Sequence, residues 1–366
     1  MKEKVNVTGV PETMVQTLYA RAKETRKKNA KINDEIAEEL VKNLDYDFSK
    51  ADKDKAMNYG VIARTIVLDR MVEQYLEKNV NTIVINIACG LDTRCYRMEG
   101  KYLRWYNVDL PETMVQTLYA RAKETKKQNA KIKDEIAVEL VEKLDYDFSK
   151  ADKDSAMTYG VIARTIVLDR MVEQYLKKHE NTVVVNIACG LDTRCYRMKG
   201  KYLRWYNVDL PETMKIRSQF LTETDPVYQI AKSAMDDSYI DDIDYHGKNV
   251  LVIIEGLTMY LCEKDIRKMF FIIEKSFQEV TVMVETMSPF VVNHVKEKSI
   301  EGSNAKFTWG VKNGTELQRI VPGFSVQQEV SLVEGMKKLM PIYRVIGKIQ
   351  IVRNISNKII VMEKHG

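Results

Sequence analysis

Residues 11–110 recur without a gap as residues 111–210. The copies differ at 14 of their 100 positions, as in Lys42 against Glu142, Asn79 against His179 and Ile83 against Val183. This period is far longer than the roughly 20–50 residues of a solenoid unit. The tetrapeptide Pro-Glu-Thr-Met begins at Pro11, at Pro111 and again at Pro211, and unequal recombination between two such matches duplicates the segment between them. Removing one copy leaves 366 − 100 = 266 residues, enough for one domain with an appended lobe. The expected division is a duplicated partial unit at 1–110, comprising a helical lobe and two strands, and a complete domain at 111–366.

Composition excludes several classes. Lysine and arginine (57) barely exceed aspartate and glutamate (52), and the net charge of +5 comes without a dense basic run. No nucleic-acid partner is expected, because that needs a clustered basic face. The five cysteines show neither a disulfide framework nor paired CxxC zinc ligands, so no metal site is expected. The start, Met1 to Val5, lacks the apolar core of a signal peptide. Apolar runs such as Val250 to Ile254 fall far short of the roughly 20 residues that span a bilayer. The expectation is a cytoplasmic protein without a membrane partner.

The second copy runs directly into the unique remainder and is the one to read. Helices are expected at Thr113–Lys127, Asp134–Leu144 and Ser155–Lys178. The β-branched run Thr182–Ile187 reads as a strand buried on both faces. Further strands are expected at Leu203–Val208, Asn249–Ile254, Val280–Glu285, Ser325–Ser331 and Lys358–Met362. Helices are expected from about Glu212, at Glu263–Phe277 and from Val333. Alternation of this kind predicts an α/β fold with a mostly parallel sheet, and the late strand pair adds an antiparallel edge.

Open α/β sheets bind ligands beyond the carboxyl ends of their strands. After Val185 come Asn186, Ile187, Ala188, Cys189, Gly190, Leu191 and Asp192; after Val208 comes Asp209; after Ile254 come Glu255 and Gly256. Taken singly, Gly190 reads as a simple turn and Asp209 as a helix cap ahead of Pro211. Glu255, ending an apolar strand, is costly unless paired or solvated in a cleft. Together they are sharper. Asp209 follows Gly190 by 19 residues, near the roughly 20-residue spacing at which a carboxylate meets ribose hydroxyls. A dinucleotide loop needs G-x-G-x-x-G. Here two of its glycines are missing, and Asp192 would repel phosphate, which disfavours a nicotinamide-dependent oxidoreductase. A nucleoside with a positive centre and no phosphate fits better, and S-adenosylmethionine is one. Val161, Arg164, Leu168, Val172 and Tyr175 share one helix face, so Arg164 stands in an apolar stripe. Two partners suit it: a protein carboxylate, or the carboxylate of a bound amino acid.

Four segments are familiar in this order: Ala163–Thr165, Val185–Arg194, Tyr206–Pro211 and Ile254–Leu261. The chain resembles the leucine carboxyl methyltransferase family, most closely its bacterial and archaeal branch with the tetracenomycin-type polyketide O-methyltransferases. The likeness covers 111–366 and, again, 11–110. It implies a class I (Rossmann-like) S-adenosylmethionine-dependent methyltransferase with a helical N-terminal lobe, acting on a carboxylate or hydroxyl of a small molecule. By that resemblance Arg164 holds the methionyl carboxylate, Gly190 lets the backbone approach the ligand, and Asp209 takes the ribose hydroxyls. Met235 and Asp236, in Ser233–Asp236, lie near the adenine, and Glu255 closes the methionine side. The chain departs from the family at Ala188, where glycine is common, and in its tandem copy.

Methyl transfer to a carboxylate needs no base, whereas an alcohol or phenol does. His294 and Tyr159 are the candidates, each with a plainer reading as a helix-surface histidine and a packed helix aromatic. A protein that binds the cofactor but has lost turnover is the alternative outside catalysis. Arg64, Gly90 and Asp109 repeat Arg164, Gly190 and Asp209. From Asp109 the chain must cross the whole second copy to reach the later strands. Looping out that segment costs at most roughly 3–4 kcal/mol, so the second copy is expected to build the site. The first copy is left to pack as an appendage or to swap into an oligomer.

Overall fold

The computed structural model describes residues 3–4, 10–79, 82–87, 90–108, 112–144, 148, 155–294 and 307–364. They divide into two compact units, one within 1–110 and one within 111–299 and 305–366.

The second unit is built on seven strands: β1 (Thr182–Ile187), β2 (Arg204–Asp209), β3 (Val227–Ala231), β4 (Asn249–Ile254), β5 (Thr281–Thr286), β6 (Phe324–Ser331) and β7 (Lys358–Lys364). Their spatial order is β6-β7-β5-β4-β1-β2-β3. Neighbours from β5 to β3 pair in parallel, whereas β7 runs antiparallel to both β5 and β6. The reversed strand is therefore inserted one place in from the edge. The late pair β6 and β7 thus forms the antiparallel edge that the sequence suggested, with β6 outermost. Strand β3 escapes sequence reading: Val-Tyr-Gln-Ile-Ala is short and only partly apolar, and it is a strand because β2 offers it a free edge.

The helices are α1 (Glu112–Thr125), α2 (Glu135–Lys143), α3 (Ser155–Lys178), α4 (Arg194–Arg197), α5 (Pro211–Phe220), α6 (Glu263–Ser276), α7 (Pro289–His294), α8 (Gly314–Ile320), α9 (Val333–Leu339), α10 (Tyr343–Ile346) and α11 (Gln350–Ile355). Successive strand residues face opposite ways, so one strand serves two cores. Val183, Val185 and Ile187 pack with Ile266, Phe270 and Ile273 of α6 on one face. Val184, Leu251 and Ile253 meet Val167, Leu168, Met171 and Val172 of α3 on the other. Helix α9 lies so close to α3 that Gly335 has no room for a Cβ against the Ala163 carbonyl.

The first unit repeats the early elements only. Helices at Val10–Thr25, Glu35–Asn43 and Lys55–Lys78 accompany a parallel pair, Ile83–Ile87 with Arg104–Val108. Leu18, Ala22, Ala37 and Val41 form its small core. No helix among the described residues is long and apolar enough to cross a membrane.

Candidate active site

Register places the functional segments together. Ile187 pairs with Val208 and with Ile254, so the residues that follow β1 and β4, and the last residue of β2, emerge at one rim. There a cavity of about 640 Å³ opens within the second unit. Arg164, Ala188, Gly190, Asp209 and Glu255 all line it. Met235 and Asp236 do not; Asp236 is exposed and accepts from Ser238 N at 3.0 Å, as a cap on a short 3₁₀ turn. Tyr159 and His294 are also outside the wall, and the His294 ring stacks on Phe290.

The β1 turn is shaped by two left-handed residues, Ala188 (φ 52°) and Gly190 (φ 49°). Glycine adopts this region freely, whereas alanine pays a steric cost there. A side chain at 190 would also crowd Met114, whose Cγ would lie 3.0 Å from the added Cβ. Gly190 N donates to Asp209 Oδ2 at 2.8 Å, and Leu210 N donates to Oδ1 at 2.7 Å. Burial pushes the Asp209 carboxyl above its ordinary range despite these two donors. From beneath, the fully buried Arg217 donates Nη1 to the Gly190 carbonyl at 2.8 Å and pairs with Glu223 at 2.5 Å.

Behind the turn runs a chain of buried ion pairs. Arg121 Nε donates to Asp134 Oδ2 at 2.9 Å, and Arg197 joins Asp134 (2.8 Å) to Asp169 (2.7 Å). Arg194 holds Asp169 (2.6 Å), Asp192 (2.7 Å) and Glu255 (2.7 Å). Burial alone would raise the Glu255 carboxyl, but Arg194 and Arg164 outweigh it and hold it below the usual range. Arg164 stands between two carboxylates, with Nε 2.5 Å from Glu255 and Nη1 donating to Glu285 at 3.1 Å. Both contacts are charge-assisted, so the guanidinium is held within the protein by two carboxylates. Of the two partners foreseen for Arg164, the protein carboxylates are the ones in contact, while the residue also lines the ligand cavity.

Sequence reasoning missed Glu285, Arg217 and the Arg194–Arg197 pair. The first is the fifth residue of an apolar strand, and its signal was the same as that of Glu255: a carboxylate at a strand's carboxyl end.

The residues present suit S-adenosylmethionine: a half-buried carboxylate whose two oxygens can accept from a diol, a turn with glycine at its tight point, and a guanidinium and carboxylates at the cavity wall. A seven-stranded sheet in this order, with its seventh strand reversed and such a site at the carboxyl ends, defines a class I S-adenosylmethionine-dependent methyltransferase. The leucine carboxyl methyltransferase family model matches residues 14–117 and again 114–273. The chain belongs to that family, and it is an S-adenosylmethionine-dependent O-methyltransferase. It is 31% identical over 229 residues to the tetracenomycin polyketide synthesis O-methyltransferase TcmP of Streptomyces glaucescens, covering 61% of this chain and 83% of that one. An S-adenosyl-L-methionine-dependent methyltransferase, dpfgK of Gibberella zeae, is 28% identical over 250 residues, covering 62% and 84%. Among solved structures, a DUF574-family protein from Streptomyces avermitilis aligns with TM-score 0.44 and 13% identity over 68% of this chain and 97% of its own.

Proposed function

We propose that residues 111–366 form the complete catalytic domain, that residues 1–110 are a duplicated partial unit, and that the enzyme methylates a carboxylate on a largely apolar small molecule. In this reading Arg164 and Glu255 hold the methionyl end of the cofactor, Ala188 and Gly190 give it backbone room, and Asp209 accepts from its ribose hydroxyls. Places for Met235 and Asp236 beside the adenine rest on the family resemblance alone. When bound, the cofactor would supply a sulfonium-bound methyl group for displacement by the acceptor oxygen, with the carbon–sulfur electron pair going to sulfur. The protein contributes proximity and orientation.

The observation that carries the acceptor class is the composition of the cavity wall. Away from the polar rim it is formed by side chains such as Met259, Met287, Val291, Phe307, Leu332 and Met336. Among the described residues lining it there are tyrosines, Tyr260 and Tyr343, but no histidine or lysine; Arg164 is held by Glu255 and Glu285, and Asp209 accepts from two backbone amides. A carboxylate acceptor, with pKa near ~4, is already ionised at neutral pH, whereas a phenol near ~10 needs a base. The test is transfer of labelled methyl to matched pairs of aromatic and aliphatic carboxylates and phenols. A methyl ester is lost in mild alkali and an aryl ether survives it. We expect base-labile label; base-stable label would overturn the carboxylate reading.

Two further parts of the proposal concern context. A reducing cytoplasm is part of the proposal, in keeping with five cysteines whose spacing forms no paired framework. An apolar helix face left bare in the first unit supports a swapped oligomer, which light scattering would reveal as a mass of at least twice the chain's.

A further inference from the structure

Glu285 is the group in this cavity whose charge is left over. The other buried carboxylates behind the turn each meet at least one guanidinium, and most meet two: Asp134 meets Arg121 and Arg197, Asp169 meets Arg194 and Arg197, Glu255 meets Arg194 and Arg164, Asp192 meets Arg194, and Glu223 meets Arg217. Two described carboxylates lining the cavity have no guanidinium to themselves, Asp209 and Glu285. Asp209 has two backbone donors, one for each oxygen. At Glu285 both contacts fall on one oxygen: Oε2 accepts from Gly256 N at 2.9 Å and shares Arg164 at 3.1 Å. The residue is 2% exposed, and burial raises its carboxyl above the ordinary range even beside Arg164. An anion buried with half a counter-ion is expensive unless a cation completes the set.

We infer that Glu285 is a specificity-determining residue that favours the positively charged methyl donor over the neutral thioether product left after transfer. The inference rests on the cofactor reading above and deepens it. Donor and product share the adenosine and the amino-acid end, and differ by one methyl group and one positive charge. Diol acceptors and a carboxylate fork bind both alike, so they contribute nothing to telling them apart, whereas a surplus negative charge in a water-poor wall does. Loss of that positive charge on methyl transfer returns Glu285 to its under-compensated state and eases product departure. Glu285 is placed for this by its strand: β5 lies beside β4, and its carboxylate reaches the Glu255–Gly256 turn while its carbonyl accepts from Thr258 Oγ1 at 2.7 Å.

The experiment is titration calorimetry of the full chain and of its Glu285→Gln and Glu285→Asp variants. The ligands are S-adenosylhomocysteine and a stable adenosyl analogue with an ammonium in place of the sulfonium. Circular dichroism and apo melting confirm that each variant is folded. Glu285→Gln keeps an acceptor for Gly256 N and removes the charge. Loss of a charge-assisted contact of this kind corresponds to about tenfold or more in affinity. We expect that loss for the cationic analogue, less than about threefold for S-adenosylhomocysteine, and restored preference in Glu285→Asp. Equal weakening of both ligands would show a purely structural role and overturn the inference, as would no change in either. Failure of the unmodified chain to bind either ligand would instead defeat the cofactor reading itself.

Discussion

Two stretches of nearly the same sequence meet very different fates in this molecule. In each copy the same local ion network forms: Arg21 reaches Asp34 at 2.9 Å as Arg121 reaches Asp134 at 2.9 Å, and Arg97 reaches Asp69 at 2.7 Å as Arg197 reaches Asp169 at 2.7 Å. Their long helices then part. Val167 and Met171 are 1% and 4% exposed, whereas Val67 and Met71 are 58% and 61% exposed. Arg164 is clasped by two glutamates, whereas Arg64 is exposed. The difference teaches what each half supplies. Contacts within 100 residues suffice for the helical lobe. The burial of its apolar stripe, and the acids that hold Arg164, come from strands β4, β5 and β7, which the chain encodes once.

The comparison is open to attack at four points. Leu168 is fully buried and Leu68 substantially exposed. Leu168→Ala should therefore cost about 2–5 kcal/mol, and Leu68→Ala no more than about 0.5 kcal/mol. Chemical denaturation of the two variants measures this, and similar losses would mean that the first helix is covered as well as the second. At the next level, Asp209→Ala removes the carboxylate whose oxygens take the Gly190 and Leu210 amides. Affinity for S-adenosylhomocysteine should fall about ten- to hundredfold. Asp109, which lies outside the described residues, should be silent when changed to Ala; the opposite pattern would give the working site to the first copy.

A smaller effect is expected at Ala188, where an L side chain sits at φ 52°. Ala188→Gly should relieve about 1 kcal/mol of backbone strain, seen as a higher melting temperature with S-adenosylhomocysteine bound. A lower one would mean that the methyl group packs usefully against the cavity. The smallest effect concerns the whole first copy. A chain lacking residues 11–110 should bind S-adenosylhomocysteine within about twofold of the full chain and be more soluble. Loss of binding on this deletion would make the first unit part of the site.

Much of the second unit was legible because its physics is local. Thr182–Ile187 and Asn249–Ile254 are strands at the expected bounds, since a short β-branched run suits nothing else, and Ser155–Lys178 is a helix over its full expected length. Asp209, Gly190 and Glu255 could be proposed together because position at the end of a strand is itself a statement about the sheet rim. Met235 and Asp236 illustrate the limit: with no strand foreseen at 227–231, nothing set the register of the turn that follows it.

What the sequence determined by itself was the alternation of elements, the repeat and the list of residues delivered to one rim, because spacing and apolar pattern act over a few residues. Tertiary structure decided which residues share a proton or a charge. Glu285 lies 121 positions from Arg164, and Arg217 lies 27 from Gly190, yet each pair is in contact. It also decided which of two almost identical helices would be buried. Both carry the stripe, but burial needs a complementary surface, and the chain folds a single seven-stranded sheet to provide it.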